Sequence, residues 1–257
     1  MSSWNPHLYL SFAKERTQPS IDLVARIDME SPKRILDVGC GPGNSTAILK
    51  SRWPNAEITG LDYAQSMIEQ AKQTDSAIKW VHGDATSDLA GLGTFNIVFS
   101  NAAIQWMPNQ PLLLKNLHQL LMDGGVLAVQ VPCVKDMPIH TELQNLIAEP
   151  KWKSHFAALS SAHSVHSAEY YYGVLCGLTS NVALWVTAYY HVMPSHHSLI
   201  EWYSGSALRP YFDCFAEERL KADFLQDYEN RLKNCYPLQS DGKILFPFKR
   251  IFFILKK

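Results

Sequence analysis

No apolar run in these 257 residues approaches the roughly 18 needed to span a membrane as a helix, so no membrane partner is expected. Charge of one sign is lacking too. Lys and Arg number 23 and Asp and Glu 24, a formal net charge of -1. That balance lacks the basic footprint of a general nucleic-acid binder. The five cysteines, Cys40, Cys133, Cys176, Cys214 and Cys235, are scattered, and no two stand at Cys-x-x-Cys spacing. Neither a disulfide framework nor a zinc ribbon is implied. There is no His-Glu-x-x-His or comparable ligand cluster, and no metal is expected. Met1 to His7 carries no basic start and leads into no apolar stretch, so a secretory signal is not read and a cytoplasmic setting is expected. What the chain has is apolar material, 47% of residues against 18% charged. A substantial buried core follows, and disordered, collagen-like and coiled-coil chains are excluded. At this length one large domain, or one with a sizeable insertion, is expected.

Short apolar runs alternate with amphipathic stretches through the first half. Strands are expected at Arg34 to Val38, Glu57 to Asp62, Ile78 to Val81, Phe95 to Ser100 and Val126 to Val131. Helical spacing fills the gaps at Asn44 to Lys50, Ser66 to Lys72 and Leu112 to Leu121, the last broken by Gly124-Gly125. Such alternation predicts a parallel sheet covered on both faces. Beyond Pro132 the rhythm changes. Residues 133 to 180 show no clear strand signal, Ala183 to Val192 is β-rich, 195 to 236 reads as helical, and Arg250 to Leu255 is a last apolar strand.

In an open α/β sheet, ligands bind outside the carboxyl ends of the strands where strand order reverses. The first strand here runs straight into Gly39-Cys40-Gly41-Pro42-Gly43. Glycines remove side chains where a ligand must approach backbone and permit positive φ. The helix that follows offers free N–H groups to an anion. Asp62 closes the next strand about 20 residues on, where an acid accepts both hydroxyls of a ribose. This spacing alone leaves NAD and other adenosine ligands open. The glycines, however, read Gly-x-Gly-x-Gly, and Asp37 ends the first strand. A carboxylate there repels a pyrophosphate but holds an ammonium, which favours a ligand with an amino-acid tail.

With these residues in view, the chain resembles the class I S-adenosylmethionine-dependent methyltransferases. The resemblance rests on Leu36 to Gly43, Gly60-Leu61-Asp62 followed by Met67-Ile68, Gly83-Asp84-Ala85, Phe95 to Asn101 and Leu121 to Leu127, all in family order. It implies a Rossmann-like, doubly wound, mostly parallel α/β sheet of seven strands, with a helical cap formed by N-terminal and C-terminal-half segments. It also implies one domain over 1–257, with 30–132 as cofactor-binding core and 1–29, 133–180 and 195–240 as cap. The cofactor implied is S-adenosyl-L-methionine, leaving as S-adenosyl-L-homocysteine, with no metal. By the same resemblance Asp37, Gly39 and Gly41 lie at the methionine portion and Asp62 binds the ribose. Tyr63 and Met67 flank the adenine, Asp84 accepts from its amino group, Ala85 gives backbone contacts, and Asn101 lies at the lip of the fourth strand.

The flanks are similar to the trans-aconitate 2-methyltransferase branch of that family, through Trp4-Asn5-Pro6, Tyr9-Leu10, Glu15-Arg16, Asn101 to Pro108, Tyr189-Tyr190-His191, Leu208 to Tyr211 and Tyr236 to Gln239. That likeness implies methyl transfer to a carboxylate of a small polycarboxylic acid. An acid with a pKa of about 4 arrives ionised, so no general base is expected. The remaining carboxylates need cationic partners, and arginine fits a carboxylate bidentately. Arg16 and Arg209 are the candidates, with Tyr9 and Trp106 as pocket wall. Rival readings are a malonyl-carrier-protein methyltransferase, an RNA methyltransferase, and a non-catalytic cofactor-binding module on the same fold.

Overall fold

The computed structural model describes residues 13–257 except 88, 158, 160–165 and 206, with side chains from 17 onward. The chain divides into two compact units. The first comprises 16–132, 166–187 and 250–257, the second 13–15, 133–159 and 188–249.

The first unit is a sheet of strands joined by helices. The helix α1 (Ala13–Ala25) precedes β1 (Arg34–Val38). Then follow α2 (Asn44–Arg52), β2 (Glu57–Asp62), α3 (Gln65–Lys72), β3 (Lys79–His82), β4 (Phe95–Asn101), α4 (Gln110–Gln119) and β5 (Leu121–Pro132). Two long strands, β6 (Val182–Met193) and β7 (Ile244–Lys256), complete a seven-stranded order β3-β2-β1-β4-β5-β7-β6. The pairs β1–β2, β1–β4, β2–β3 and β4–β5 are parallel, and β5–β7 is antiparallel. The Rossmann-like, mostly parallel sheet expected from the sequence is thus present, with its order reversing between β1 and β4. Four of the five β1 residues and all of Val126 to Val131 are buried, as a sheet covered on both faces requires. Helix α4 supplies Leu113, Leu114 and Leu117 to that cover.

Three boundaries differ from the sequence reading. The helix expected to reach Leu121 ends at Gln119, because Leu121 already pairs with Phe95 of β4. Gly124-Gly125 does not precede β5 but lies inside it, in a bulge between the Phe95–Leu121 and Ile97–Val126 pairs. Gly124 takes φ +72°, and a Cβ on Gly125 would stand 2.7 Å from the Met122 carbonyl, so only glycines pass there. The last strand begins at Ile244 rather than Arg250.

Residues 30–132 lie within the first unit, and 133–180 falls partly in each unit. The later part, carrying α7 (Ala168–Leu175), packs within the sheet unit through Tyr171. That fully buried side chain donates to Gln110 Oε1 at 2.7 Å and packs on Phe253. On the same sheet Trp185 stacks on Phe252, ring centroids 5.2 Å apart, and Arg26 covers Trp185.

The second unit is helical, with α5 (Pro138–Ile147), α6 (Pro150–Lys153), α8 (His196–Ser204), α9 (Arg209–Phe212) and α10 (Glu218–Cys235), α7 being Ala168–Leu175. The stretch 195 to 236, read as helical, carries three helices. Phe224, Tyr228 and Leu232 recur at four-residue spacing along α10 and are fully buried. Tyr228 donates to the Ile139 carbonyl, and the Ile139 N–H donates to Tyr236 Oη at 3.0 Å, so two tyrosines clamp the start of α5. Among the described residues no helix is long and apolar enough to cross a membrane.

Removing the Phe252 ring leaves a cavity under Trp185. Phe252→Ala is expected to destabilise the fold by about 3–5 kcal/mol, measured by urea unfolding. Val186→Ala, on an exposed side chain, should stay within about 0.5 kcal/mol.

Candidate active site

The carboxyl end of β1 is built around Asp37, which is fully buried. Its Oδ2 accepts from Ser45 Oγ at 2.7 Å and Thr46 Oγ1 at 2.6 Å, both in the first turn of α2. Its Oδ1 has no protein partner. Burial pushes the carboxyl up to about 6, against the pull of the Thr46 and Ser45 hydroxyls and with a further push from Asp62. The two hydroxyls were not among the sequence candidates. Their signal was an adjacent Ser-Thr pair at the helix start directly after the glycine turn.

The turn itself is tied to β2. Gly39 and Cys40 N–H groups both donate to the Leu61 carbonyl, at 2.8 and 3.1 Å. Gly39 and Gly41 do different jobs. Gly39 has φ +69°, and a Cβ there would lie 2.2 Å from Ala103 Cβ, so it lets the segment after β4 close on the turn. Gly41 has φ +55° and nothing within 4 Å of a Cβ position. It therefore leaves open space beside backbone, the approach a ligand needs. Gly43 caps α2 in a left-handed conformation without any side-chain cap.

Asp62 ends β2, and each of its oxygens takes one backbone hydrogen bond. Oδ2 accepts from Gly41 N–H and Oδ1 from Ala64 N–H, both at 2.8 Å. A carboxylate has about four lone-pair sites, so each oxygen keeps capacity for a ligand donor while its direction is set. Next along the chain, the Tyr63 ring is 75% exposed, while its carbonyl accepts from His82 Nε2 at 2.9 Å. Met67 is half-buried on α3. Asp84 is exposed beyond β3, and its Oδ1 accepts from Thr86 N–H at 2.8 Å and Thr86 Oγ1 at 2.7 Å. It therefore also builds its own turn. Ala85 is buried. Asn101 ends β4 with a buried, unpartnered Oδ1, and Ala102 after it takes φ +52°. Left-handed alanine is costly and gathers at functional sites.

All nine residues named for the cofactor thus stand at or just beyond the carboxyl ends of β1 to β4, within the first unit. Trp106 follows on a short 3₁₀ turn (Ile104–Trp106) and is 42% exposed. Arg209 is exposed on α9 of the second unit. Tyr9 and the side chain of Arg16 lie outside the described residues.

A family described as "Methyltransferase domain" matches residues 35–125. Along its length the chain is 38% identical to the trans-aconitate 2-methyltransferase of an Enterobacter species, covering 100% of this chain and 99% of that protein. The figures for the enzyme of that name from Escherichia coli are the same. The chain belongs to the trans-aconitate 2-methyltransferase family. Solved structures at lower identity share the fold of this family member. The YcgJ protein from Bacillus subtilis superposes with a TM-score of 0.64 at 16% identity, over 93% of this chain and 98% of its own. Phosphoethanolamine N-methyltransferase 2 of Haemonchus contortus, solved in complex with S-adenosyl-L-methionine, gives 0.56 at 15% identity, over 93% of this chain and 52% of its own.

In this member of the methyltransferase family, Asp37 makes folding pH-dependent. Its carboxyl titrates at about 6 when folded and near 3.8 otherwise. Between those values the folded chain keeps a proton that the unfolded chain has lost. This group therefore costs stability progressively as pH rises from 3.8 to about 6, and the cost is constant above. Asp37→Asn removes the slope. Denaturation midpoints of the wild type, taken relative to Asp37→Asn, should fall between pH 4 and 6; a flat difference contradicts the assignment.

Proposed function

We propose that this chain transfers a methyl group from S-adenosyl-L-methionine to a carboxylate of trans-aconitate, giving a monomethyl ester. What carries the reading is the open turn at Gly41 between the unpartnered Asp37 Oδ1 and the half-used carboxylate of Asp62, in a chain 38% identical over its length to enzymes of that name. The residues fit the cofactor. An orphaned carboxylate oxygen suits an ammonium group, and lone pairs held in direction by Gly41 and Ala64 suit vicinal hydroxyls. Bound there, the cofactor supplies an activated methyl on a positively charged sulfur.

In this reading Asp37 holds the amino-acid tail, Gly39 and Gly41 admit it against backbone, and Asp62 binds the ribose. Tyr63 and Met67 flank the adenine, Asp84 accepts from its exocyclic amine through the oxygen not spent on Thr86, and Ala85 adds backbone contact. Asn101 lines the lip toward the acceptor. Trp106, Arg209, Arg16 and Tyr9 serve the acceptor. The nucleophile needs no proton removed, since a carboxylate with a pKa of about 4 is ionised at neutral pH. What the chain must supply is alignment and exclusion of water. Orientation alone supplies about 7–11 kcal/mol of such a barrier.

Labelled cofactor and a panel of acids test the reading. Label should pass to trans-aconitate; label passing to a malonyl carrier protein and to no small acid overturns it. Asp62→Ala removes charge-assisted hydrogen bonds worth about 1.5–3 kcal/mol each and should weaken cofactor binding accordingly in calorimetry. Arg209→Ala should raise the KM for the acceptor and leave cofactor affinity unchanged.

A further inference from the structure

The segment leaving β4 carries a strained residue and a buried amide that grips it. Asn101 pairs with Gln130 at the end of the β4–β5 ladder, and the Ala102 N–H donates to the Gln130 carbonyl at 2.9 Å. Ala102 then takes φ +52°. Residues with a Cβ rarely adopt that left-handed conformation, because the Cβ crowds the following carbonyl oxygen. On its other side the Ala102 carbonyl accepts from Gln105 Nε2 at 2.7 Å. A residue's two dihedral angles are the rotations of its flanking peptide planes. Here β5 holds one plane and Gln105 holds the other.

Gln105 is only 5% exposed, and its Oε1 has no partner. A buried amide oxygen without a donor costs stability, and an apolar side chain of the same length fills such a position without that cost. Packing therefore does not account for a glutamine at 105. The bond to Ala102 does. The segment thus held lies on the glycine turn, since a Cβ on Gly39 would stand 2.2 Å from Ala103 Cβ and 3.6 Å from Met107 Cε. Between those two contacts the 3₁₀ turn Ile104–Trp106 carries Trp106 outward. The sign of φ at Ala102 sets the direction in which the chain leaves β4. It thereby sets how Ala103 seats on Gly39 and where Asn101 and Trp106 stand relative to the turn.

We infer that Gln105 is a positioning residue for methyl transfer: it holds Ala102 left-handed and so fixes the path of the segment after β4 across the glycine turn. It acts through Ala102 rather than on a reacting atom. The inference rests on the methyl-transfer reading above, in which the chain supplies alignment. A misplacement of about 1 Å in such a step costs up to about 100-fold in rate.

Gln105→Met tests it. Methionine is close in length, donates no hydrogen bond and removes the orphaned oxygen, so the folded chain is retained. Turnover of trans-aconitate and melting temperature are measured for the wild type, Gln105→Met, Ala102→Gly and the double variant. Gln105→Met should lower kcat by about tenfold or more, with melting temperature unchanged or raised. Glycine takes positive φ as readily as negative, so at 102 it leaves the bond little strain to oppose. In the Ala102→Gly background the same substitution should therefore cost about threefold or less. An unchanged kcat in Gln105→Met overturns the inference. So do equal fold-losses in the two backgrounds, which would make Gln105 independent of Ala102. A loss of kcat that follows a fall in melting temperature assigns Gln105 to packing and overturns it as well. In all three cases the wild type still methylates trans-aconitate and the methyl-transfer reading stands. A wild type that does not turn over trans-aconitate overturns that reading and this inference with it.

Discussion

The end of β2 holds the glycine turn, and the candidate site depends on that grip. One carbonyl, that of Leu61, takes the N–H groups of Gly39 and Cys40, and one carboxylate oxygen of Asp62 takes that of Gly41. Three consecutive backbone donors are thereby consumed by the neighbouring strand. The turn cannot relax toward solvent without orphaning buried polar groups, which is expensive. Because Asp62 is both a clamp on the turn and the acid proposed for the ribose, turn shape and sugar binding are set by one side chain. The same grip forces Gly39 against Ala103, so the segment after β4 is brought to the turn by the absence of one methyl group.

The second constraint is electrostatic. Asp37 is buried with only two hydroxyls to hold it, and its other oxygen is unsatisfied. Folding pays for that in desolvation, as its upward shift to about 6 records. A cation arriving at this oxygen recovers part of the cost. The site is thus poorly matched to itself and well matched to a positively charged ligand, which is how strained functional sites persist in otherwise consistent folds.

Much of this was legible in the chain. Strand, glycine turn, helix, strand and acid follow in an order that local periodicity reveals, and Asp37, Gly39, Gly41 and Asp62, read from that order, stand at the ends of β1 and β2. What was not legible depended on distant pairing. Arg250 and Gln130 are 120 positions apart and meet because β7 enters antiparallel beside β5. Nothing local marks either residue, since Arg250 precedes an apolar run and Gln130 interrupts one. Within the sheet unit, Tyr171 of α7 reaches Gln110 of α4, again across the fold. The early start of β5 escaped notice because Gly124-Gly125 reads as a strand breaker, whereas a bulge lets the pairing step over it. Arg209 is read from resemblance to a motif, and it stands exposed on α9 of the second unit.

Taken along one face, the strand ends grade in charge. Asp37 on β1 is acidic, Asn101 and Gln130 on β4 and β5 are neutral amides, and Arg250 on β7 is cationic. Methyl transfer from a sulfonium to a carboxylate joins a cation to an anion and yields two less charged products. The charge separation present in the reactants diminishes in the transition state, so a water-poor setting favours the step over the same step in water. Bringing two opposite charges into such a setting is nevertheless costly unless each meets a partner. A buried acid placed where the cation is proposed to dock meets one of those charges. On this argument the proposed transfer calls for no group that gives or takes a proton. It needs a fixed charge where the cofactor docks, and on the proposed reading the buried Asp37 at the end of β1 supplies it.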